Sequence, residues 1–285
     1  MKNSKIEWTH HTFNPWWGCT KVSAGCDNCY AANMAHRWGH DVWGHDAPRR
    51  AMSDAHWEQP LDWNMEAKAA GVRSRVFCAS MADVFESRTD LVAHRQRLLN
   101  LIADTPNLDW LLLTKRPHSI KKLAPHGYRY PSNVWLGTTV ENQESANKRV
   151  KFLLEFTKPA VRFLSCEPLL GPVDIRRYLE PGANGVRIDW VIVGGESEHG
   201  ARPMNPEWTE SLRDQCQDAG VPFLFKQWGS WGVTGQTVGT ASKRTTTQLL
   251  RHDGTPVQMI SVGKKAAGRL LTGRQYTQFP LVHRL

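Results

Sequence analysis

The sequence predicts an α/β protein built on a full or partial (βα) barrel, TIM-like in plan, with a C-terminal extension. Two features lead there. Six short apolar, β-rich runs occupy residues 75–79, 110–113, 134–136, 161–164, 190–193 and 222–225, their starts 35, 24, 27, 29 and 32 residues apart. That is the period of a strand plus a helix, and runs apolar nearly throughout fit strands buried on both faces of a parallel sheet. Between several of them lie helical patterns. With a short N-terminal strand the count is about seven. A doubly wound sheet is the runner-up, although no G-x-G-x-x-G follows an early strand.

Taken in order, residues 6–18 read as the first strand running into a cysteine-containing loop. Residues 28–38 read as a helix ended by Gly39. Residues 39–58 are rich in His, Asp, Trp and Gly, with Trp38-Gly39-His40-Asp41 nearly repeated as Trp43-Gly44-His45-Asp46. They predict an exposed loop covering substrate, with a His/Asp metal site as the alternative. Residues 60–70 predict a helix with Pro60 in its first turn and Gly71 as its stop. Leu91, Arg95, Leu98, Leu99 and Ile102 share one helix face, as do Ala146, Val150, Leu153 and Leu154. Asn205-Pro206 caps a helix carrying Trp208, Leu212 and Cys216, which Gly220 ends. Beyond Trp231 the composition changes. Residues 233–247 are Gly/Thr-rich, 249–260 suggest a hairpin about Asp253-Gly254, and 263–271 suggest a basic helix with Lys264, Lys265 and Arg269. The division expected is a barrel over residues 1–232 and an extension over 233–285 packed on it.

Each apolar run ends in a polar cluster: Ser80-Met81-Ala82-Asp83, Thr114-Lys115-Arg116-Pro117, Gly137-Thr138-Thr139-Val140-Glu141-Asn142, Ser165-Cys166-Glu167-Pro168, Gly194-Gly195-Glu196-Ser197-Glu198 and Lys226-Gln227-Trp228-Gly229. Barrel active sites lie at the C-terminal ends of the strands, so these clusters are the candidate site. The cysteine loop follows the first strand and belongs with them. There Cys19, Cys26 and Cys29 stand in a Cys-x6-Cys-x2-Cys spacing, with Gly18 and Gly25 allowing tight turns. With no secretory segment, such a run reads as a metal site before it reads as disulfides. Three thiolates on a cubane iron-sulfur cluster leave one iron open to a small molecule. A structural zinc completed by His10 or His11, or plain buried cysteines, are the alternatives. Cys78, Cys166 and Cys216 stand singly and read as small buried hydrophobes.

The 285 residues carry a formal charge of +9 and are 40% hydrophobic, with a pI near 9.4. The charge favours a polyanionic partner. The basic residues come in pairs such as Arg49-Arg50, Lys148-Arg149 and Lys243-Arg244, read mainly as solvated helix faces, with a nucleic-acid groove as the sharper reading. Thirteen tryptophans are many for this length. Most are expected in the core or at its rim, with some free to stack on bases. No apolar run is long enough to span a membrane, and the N-terminus has no apolar signal region, so a cytoplasmic location is expected.

Several motifs together carry a family resemblance. They are Ile6-Glu7-Trp8-Thr9, the loop from Gly18 to Tyr30, Leu112-Leu113-Thr114-Lys115-Arg116-Pro117, Gly137-Thr138-Thr139-Val140-Glu141-Asn142, Leu164-Ser165-Cys166-Glu167-Pro168-Leu169-Leu170-Gly171-Pro172, Gly194-Gly195-Glu196-Ser197 and Gly263-Lys264-Lys265-Ala266-Ala267-Gly268-Arg269. The chain resembles the phage-associated three-cysteine-motif family, a domain of unknown function. One level up it resembles the radical S-adenosylmethionine (SAM) superfamily, whose members place a three-cysteine loop after the first strand of a partial (βα) barrel. That resemblance implies a [4Fe-4S] cluster on Cys19, Cys26 and Cys29, SAM on the open iron, and reductive cleavage to a 5′-deoxyadenosyl radical. It makes Ser80 and Asp83 candidates for the SAM amino group, and Thr138, Glu141 and Asn142 for the ribose. Glu167, Gly194, Gly195 and Glu196 would border the methionine or adenine. The first cysteine gap is six residues where the superfamily's usual gap is three, and Asn28 stands where an aromatic residue usually precedes the last cysteine.

The function expected on these grounds is a radical SAM enzyme repairing or modifying a nucleic acid or nucleotide, with an electron donor such as flavodoxin or ferredoxin and no membrane partner. The spore photoproduct lyase type, a DNA-repair radical enzyme, is an analogue by architecture only. Cys78 and Cys166, both at strand ends, are candidate hydrogen donors, and Lys115 is a further candidate catalytic group. The alternatives are a non-enzymatic, zinc-stabilised nucleic-acid-binding protein and a redox-sensing regulatory partner.

Overall fold

Each of the seven expected strands forms, and most run further into the polar clusters than the apolar runs alone indicate. The computed structural model describes residues 1–125, 128–156, 159–235 and 245–281. The strands are β1 (His11–Thr12), β4 (Ser74–Cys78), β5 (Leu108–Thr114), β6 (Val134–Thr139), β7 (Val161–Cys166), β8 (Trp190–Gly194) and β9 (Phe223–Gln227). Two-residue strands β2 (Trp16–Trp17) and β3 (Arg50–Ala51) make a separate antiparallel ladder. Backbone ladder bonding does not depend on side-chain polarity, so β5 and β6 stay in register to the pair Thr114 and Thr138.

The sheet order is β1-β4-β5-β6-β7-β8-β9, parallel in its registers. Strand order follows chain order throughout. That is the winding of a (βα) barrel and lacks the reversal of a doubly wound sheet. Among the described residues β9 does not pair with β1, so the partial form is the one realised.

The chain divides into two compact units, one of Met1–Val22, Ala31–Thr138 and Lys151–Arg162, the other of Ser23–Tyr30, Thr139–Val150 and Phe163–Leu285. The first has an aromatic core: Phe13 meets Trp57 and Trp110 edge-on at 5.2 and 5.6 Å, and Trp8 meets Phe77 at 4.5 Å. Its helix Asp54–Ala69 begins six residues before the expected start and contains Pro60. Packing overrides the break, because Trp57, Pro60, Trp63 and Ala67 lie buried along one face. Gly71, at φ +65°, lies just beyond its end as expected. Helix Val92–Asp104 buries Arg95, Leu98, Leu99 and Ile102.

In the second unit Asn205 caps helix Pro206–Asp218, its side chain accepting from the Glu207 N–H at 3.1 Å. Leu212 and Cys216 are buried, while Trp208 is only half-buried. The expected hairpin forms as β11 (Thr246–Leu250) and β12 (Pro256–Ser261), and β10 (Trp231–Val233) pairs with β12 from the other side. The basic helix spans only Lys264–Ala267, because Gly268 turns the backbone to φ +72°. Farther on, the Phe225 N–H donates to Tyr276 O and Trp190 Nε1 to Gln278 O. Most of the Gly/Thr-rich stretch, with Lys243 and Arg244, lies outside the described residues. Among the described residues no helix is long and apolar enough to cross a membrane.

Candidate functional site

The six cysteines fall into two classes. Cys78, Cys166 and Cys216 are fully buried, while Cys19, Cys26 and Cys29 are half-exposed, and all six are free thiols. Burial pushes the Cys216 thiol up to about 12 and the Cys78 and Cys166 thiols well above their ordinary value. Those three stay protonated at neutral pH.

In the first unit Cys19 follows Trp17 and Gly18, the latter at φ +114° with its N–H bonded to Met81 O at 2.9 Å. A Cβ on Gly18 would stand 2.3 Å from Val42 O, so only glycine fits this turn. Arg116, 8% exposed, comes off the end of β5 and reaches the loop. It donates to Thr20 O at 2.6 Å and to Cys19 Sγ at 3.5 Å, and it pairs with Asp83 at 2.9 Å. Asp83, past the end of β4, also accepts from Thr114 Oγ1 at 2.7 Å and the Lys115 N–H at 3.1 Å. Arg49 adds a second anchor, donating to Thr20 Oγ1 at 2.9 Å and pairing with Glu86 at 2.8 Å. Burial opposes the charge on Glu86, but its hydrogen bonds with Arg49 and Thr20 hold it below the usual carboxylate range. Burial, reinforced by Asp83, pushes the Cys19 thiol up to about 12 against the pull of Arg116.

The second unit holds the rest of the loop in the same way. Glu141, beyond the end of β6 and 2% exposed, accepts from Ser23 Oγ at 2.6 Å and pairs with Arg149 at 3.3 Å. Glu196, past β8, accepts from Asn28 Nδ2 at 2.9 Å and is forked by Arg202. Arg202 also donates to Ala24 O at 2.7 Å and lies 3.6 Å from Asp27. Burial disfavours the charge on Glu196, but Arg202 and Asn28 hold its carboxyl below the usual range. A short 3-10 turn, Ala24–Cys26, and the helix from Tyr30 complete the loop.

The remaining expected residues sit at strand ends with defined partners. Ser80 exchanges hydrogen bonds with Asn14. Thr138 is fully buried and donates to Thr114 O at 2.8 Å. The Asn142 side chain accepts from the Ser145 N–H and caps helix Gln143–Leu153. Glu167 pairs with Lys226 at 2.6 Å. Gly195 is sterically required, because a Cβ would stand 2.1 Å from Trp228 O, and at Gly194 a Cβ would press at 3.0 Å on the Glu167 carboxylate. Lys115 is half-buried beside Arg116.

Arg116, Arg49, Arg149, Arg202 and Ser23 are the site residues that the sequence reading passed over. Arg49 and Arg149 were hidden in basic pairs read as solvated. Arg116 stood beside Lys115 in a strand-end cluster, which was the available signal.

For zinc, the two candidate histidines are otherwise engaged. His10 Nδ1 accepts from the Arg75 N–H at 2.8 Å, and His11 is buried, stacked on Trp63 at 4.5 Å. Among the described residues no three His, Cys, Asp or Glu side chains stand grouped as a ready-made metal site, in the 39–58 loop or elsewhere. Cys19, Cys26 and Cys29 are therefore not themselves brought together as a site, although by chemistry three free, partly buried thiols in one loop are the donor type that a thiolate-ligated cluster takes.

No curated protein matches the sequence. Among solved structures, a spore photoproduct lyase variant with bound AdoMet and dinucleoside spore photoproduct is 11% identical, with TM-score 0.44 over 92% of this chain and 70% of that one. Two further variants of that enzyme are 12% and 14% identical, with TM-scores of 0.47 and 0.45, covering 91% and 92% of this chain and 70% and 71% of theirs. The model of the protein family of unknown function DUF5131 matches residues 3–280, and the chain belongs to that family.

Proposed function

We propose that this protein is a radical SAM enzyme that repairs or modifies a nucleic acid or nucleotide. The observation that carries the reading is the treatment of the cysteine loop. Side chains from the ends of parallel strands β5, β6 and β8 grip its backbone and polar residues, while its three thiols are only partly buried and free of disulfides. These strand ends are where barrel enzymes work.

Cys19, Cys26 and Cys29 are the residues that would hold a [4Fe-4S] cluster. When bound, the cluster supplies an open iron for SAM and the electron that cleaves it to a 5′-deoxyadenosyl radical, drawn from a donor of the flavodoxin or ferredoxin class. Glu141 and Glu196 commit their carboxylates to the loop, and Asp83 commits its own to Arg116, which holds the loop, so we assign them positioning roles. Half-buried Ser80 and Glu167 remain the better candidates to meet the polar groups of SAM. Thr138 and Asn142 shape the strand end from within, and Gly194 and Gly195 keep the chain close to Glu167 and Trp228. Cys166 and Cys78 keep their S–H hydrogens but lie fully buried at the strand ends, so a hydrogen-donor role for either requires substrate to reach the end of its strand, and Lys115 is a candidate proton or phosphate partner. Residues 1–232 would carry this chemistry, with 233–285 as the extension.

The test is anaerobic reconstitution, metal and sulfide analysis, and electron paramagnetic resonance of the dithionite-reduced protein with and without SAM. About four irons per chain and a signal changed by SAM are expected. One zinc and no iron after reconstitution overturns the reading.

A further inference from the structure

Beside the cysteine loop, in the first unit, lies a group of side chains that the mooring does not use. Trp17 ends β2, directly opposite Arg50 on β3. The Arg50 guanidinium lies 5.0 Å over the Trp17 ring. Trp38, just past helix Tyr30–Arg37, stacks on Trp17 with centroids 5.2 Å apart and planes 29° apart, and His40 meets Trp17 edge-on at 5.5 Å. Trp38 is 58% exposed, the most exposed of the thirteen tryptophans, eight of which are buried. Core packing therefore does not explain it.

A large flat ring held in place by a second ring offers a preorganised face, which lowers the entropic cost of binding something flat. The charge around it selects the occupant. Arg50 is exposed and among the described residues pairs with no carboxylate, bonding only to Met52 Sδ beyond its ring contact. Arg37 is exposed on the last helical turn, its Nε donating to Asn33 O. Asp41 is the one carboxylate in residues 36–45, and the chain as a whole is at +9. Cationic groups around stacked aromatics suit a strand that alternates bases and phosphates.

We infer that Trp38, Trp17 and Arg50 form a stacking platform for single-stranded nucleic acid, a base on Trp38 and flanking phosphates on Arg50 and Arg37. This gives a surface to the nucleic-acid part of the function proposed above and rests on that part. It does not depend on the cluster.

The test is fluorescence anisotropy of the full chain with a fluorescein-labelled single-stranded oligonucleotide of mixed sequence, over a range of salt. Binding is expected to weaken steeply with salt, and Trp38→Ala to lose about ten-fold in affinity, with Trp38→Phe recovering most of it. Arg50→Ala should lower the salt slope by about 0.7, the contribution of one phosphate on a single strand. No binding at low salt, or equal binding by Trp38→Ala and Arg50→Ala, overturns the platform. Iron content and the SAM-dependent signal are read on the same preparations. Trp38-dependent binding without iron sinks the cluster and supports the platform. Iron and a SAM response without Trp38-dependent binding sink the platform alone.

Discussion

Replacing Arg116 with methionine keeps much of the side chain's length and apolar stem but deletes three links at once. The ion pair with Asp83 at 2.9 Å, the bond to Thr20 O at 2.6 Å and the contact with Cys19 Sγ all vanish. Asp83, 5% exposed, is left as a buried carboxylate without its counter-ion. Breaking a buried pair by removing one partner costs about 3–5 kcal/mol. Asp83 keeps three donors, Thr114 Oγ1 and the Lys115 and Phe85 N–H groups, which places the loss at the low end, about 3 kcal/mol. At about 2–4 °C per kcal/mol for chains of a few hundred residues, the melting temperature should fall by roughly 6–12 °C. Glu86 is not stranded, because Arg49 still pairs with it. The assay is thermal and urea unfolding of the cluster-free protein at neutral pH, followed by far-UV circular dichroism, with hydrogen exchange over residues 18–22. Exchange there should accelerate. The double variant Asp83→Asn with Arg116→Met removes the orphaned charge and should recover at least half of the loss. Wild-type stability in Arg116→Met, or a double variant no better than the single, would refute the stranded-charge argument.

Three further outcomes follow from the same geometry. Gly25→Ala would put a Cβ 2.5 Å from Glu141 Oε1, and Glu141 is fixed by Ser23 and Arg149, so the loop must shift; a loss of about 1–3 kcal/mol and reduced iron uptake on reconstitution are expected, and unchanged uptake would show that Glu141 yields. Lys226→Met leaves Glu167 without its partner at 2.6 Å and should cost about 2 kcal/mol in urea unfolding, with Lys226→Arg restoring most of it; equal losses in the two variants would mean that charge is not the cause. His11 has its pKa lowered to about 4, by burial first and then by His10. Between that value and the ordinary value of about 6.5 the unfolded chain binds a proton that the folded chain does not, so stability rises with pH across this window and is lost as pH falls through it. The wild-type melting temperature should therefore drop more steeply from pH 6.5 to 4 than that of His11→Phe, which keeps a ring on Trp63; parallel curves would exclude His11 as the source.

Strand and helix periodicity made the scaffold legible, because burial on both faces writes itself into nearly continuous apolar runs such as Trp110-Leu111-Leu112-Leu113. The cysteines were legible by spacing alone. The groups that hold them were not, since a charged residue in sequence carries no mark of its burial. Arg49 and Arg50 are neighbours, yet the Arg49 side chain is 1% exposed and anchors the cysteine loop while Arg50 faces solvent. Lys148 pairs with Glu144 in solvent, and Arg149 turns inward to Glu141 and Thr139 O. On a helix, adjacent residues point about 100° apart, so one residue of a basic pair can be solvated and the other buried. Only the three-dimensional partner decides which. Pro60 misled for the opposite reason: a local rule for helix starts lost to three buried apolar neighbours on one face.

The buried ion pairs at the loop are better explained by position than by stability. Replacing a buried pair with apolar residues of similar size is often neutral or stabilising, so stability alone does not require Arg116–Asp83 or Arg149–Glu141. A glycine-containing, largely non-helical loop is different. It presents carbonyls and polar side chains that apolar neighbours cannot satisfy, and an unpaired buried polar group costs about 1–3 kcal/mol. Thr20 O takes its donor from Arg116, Ser23 finds its acceptor in Glu141, and Asn28 finds one in Glu196. The counter-charges then hold the arginines and carboxylates in place. The register of the cysteine loop is thereby tied to the strand ends, and a change at Asp83 or Glu141 should displace the thiols of the loop.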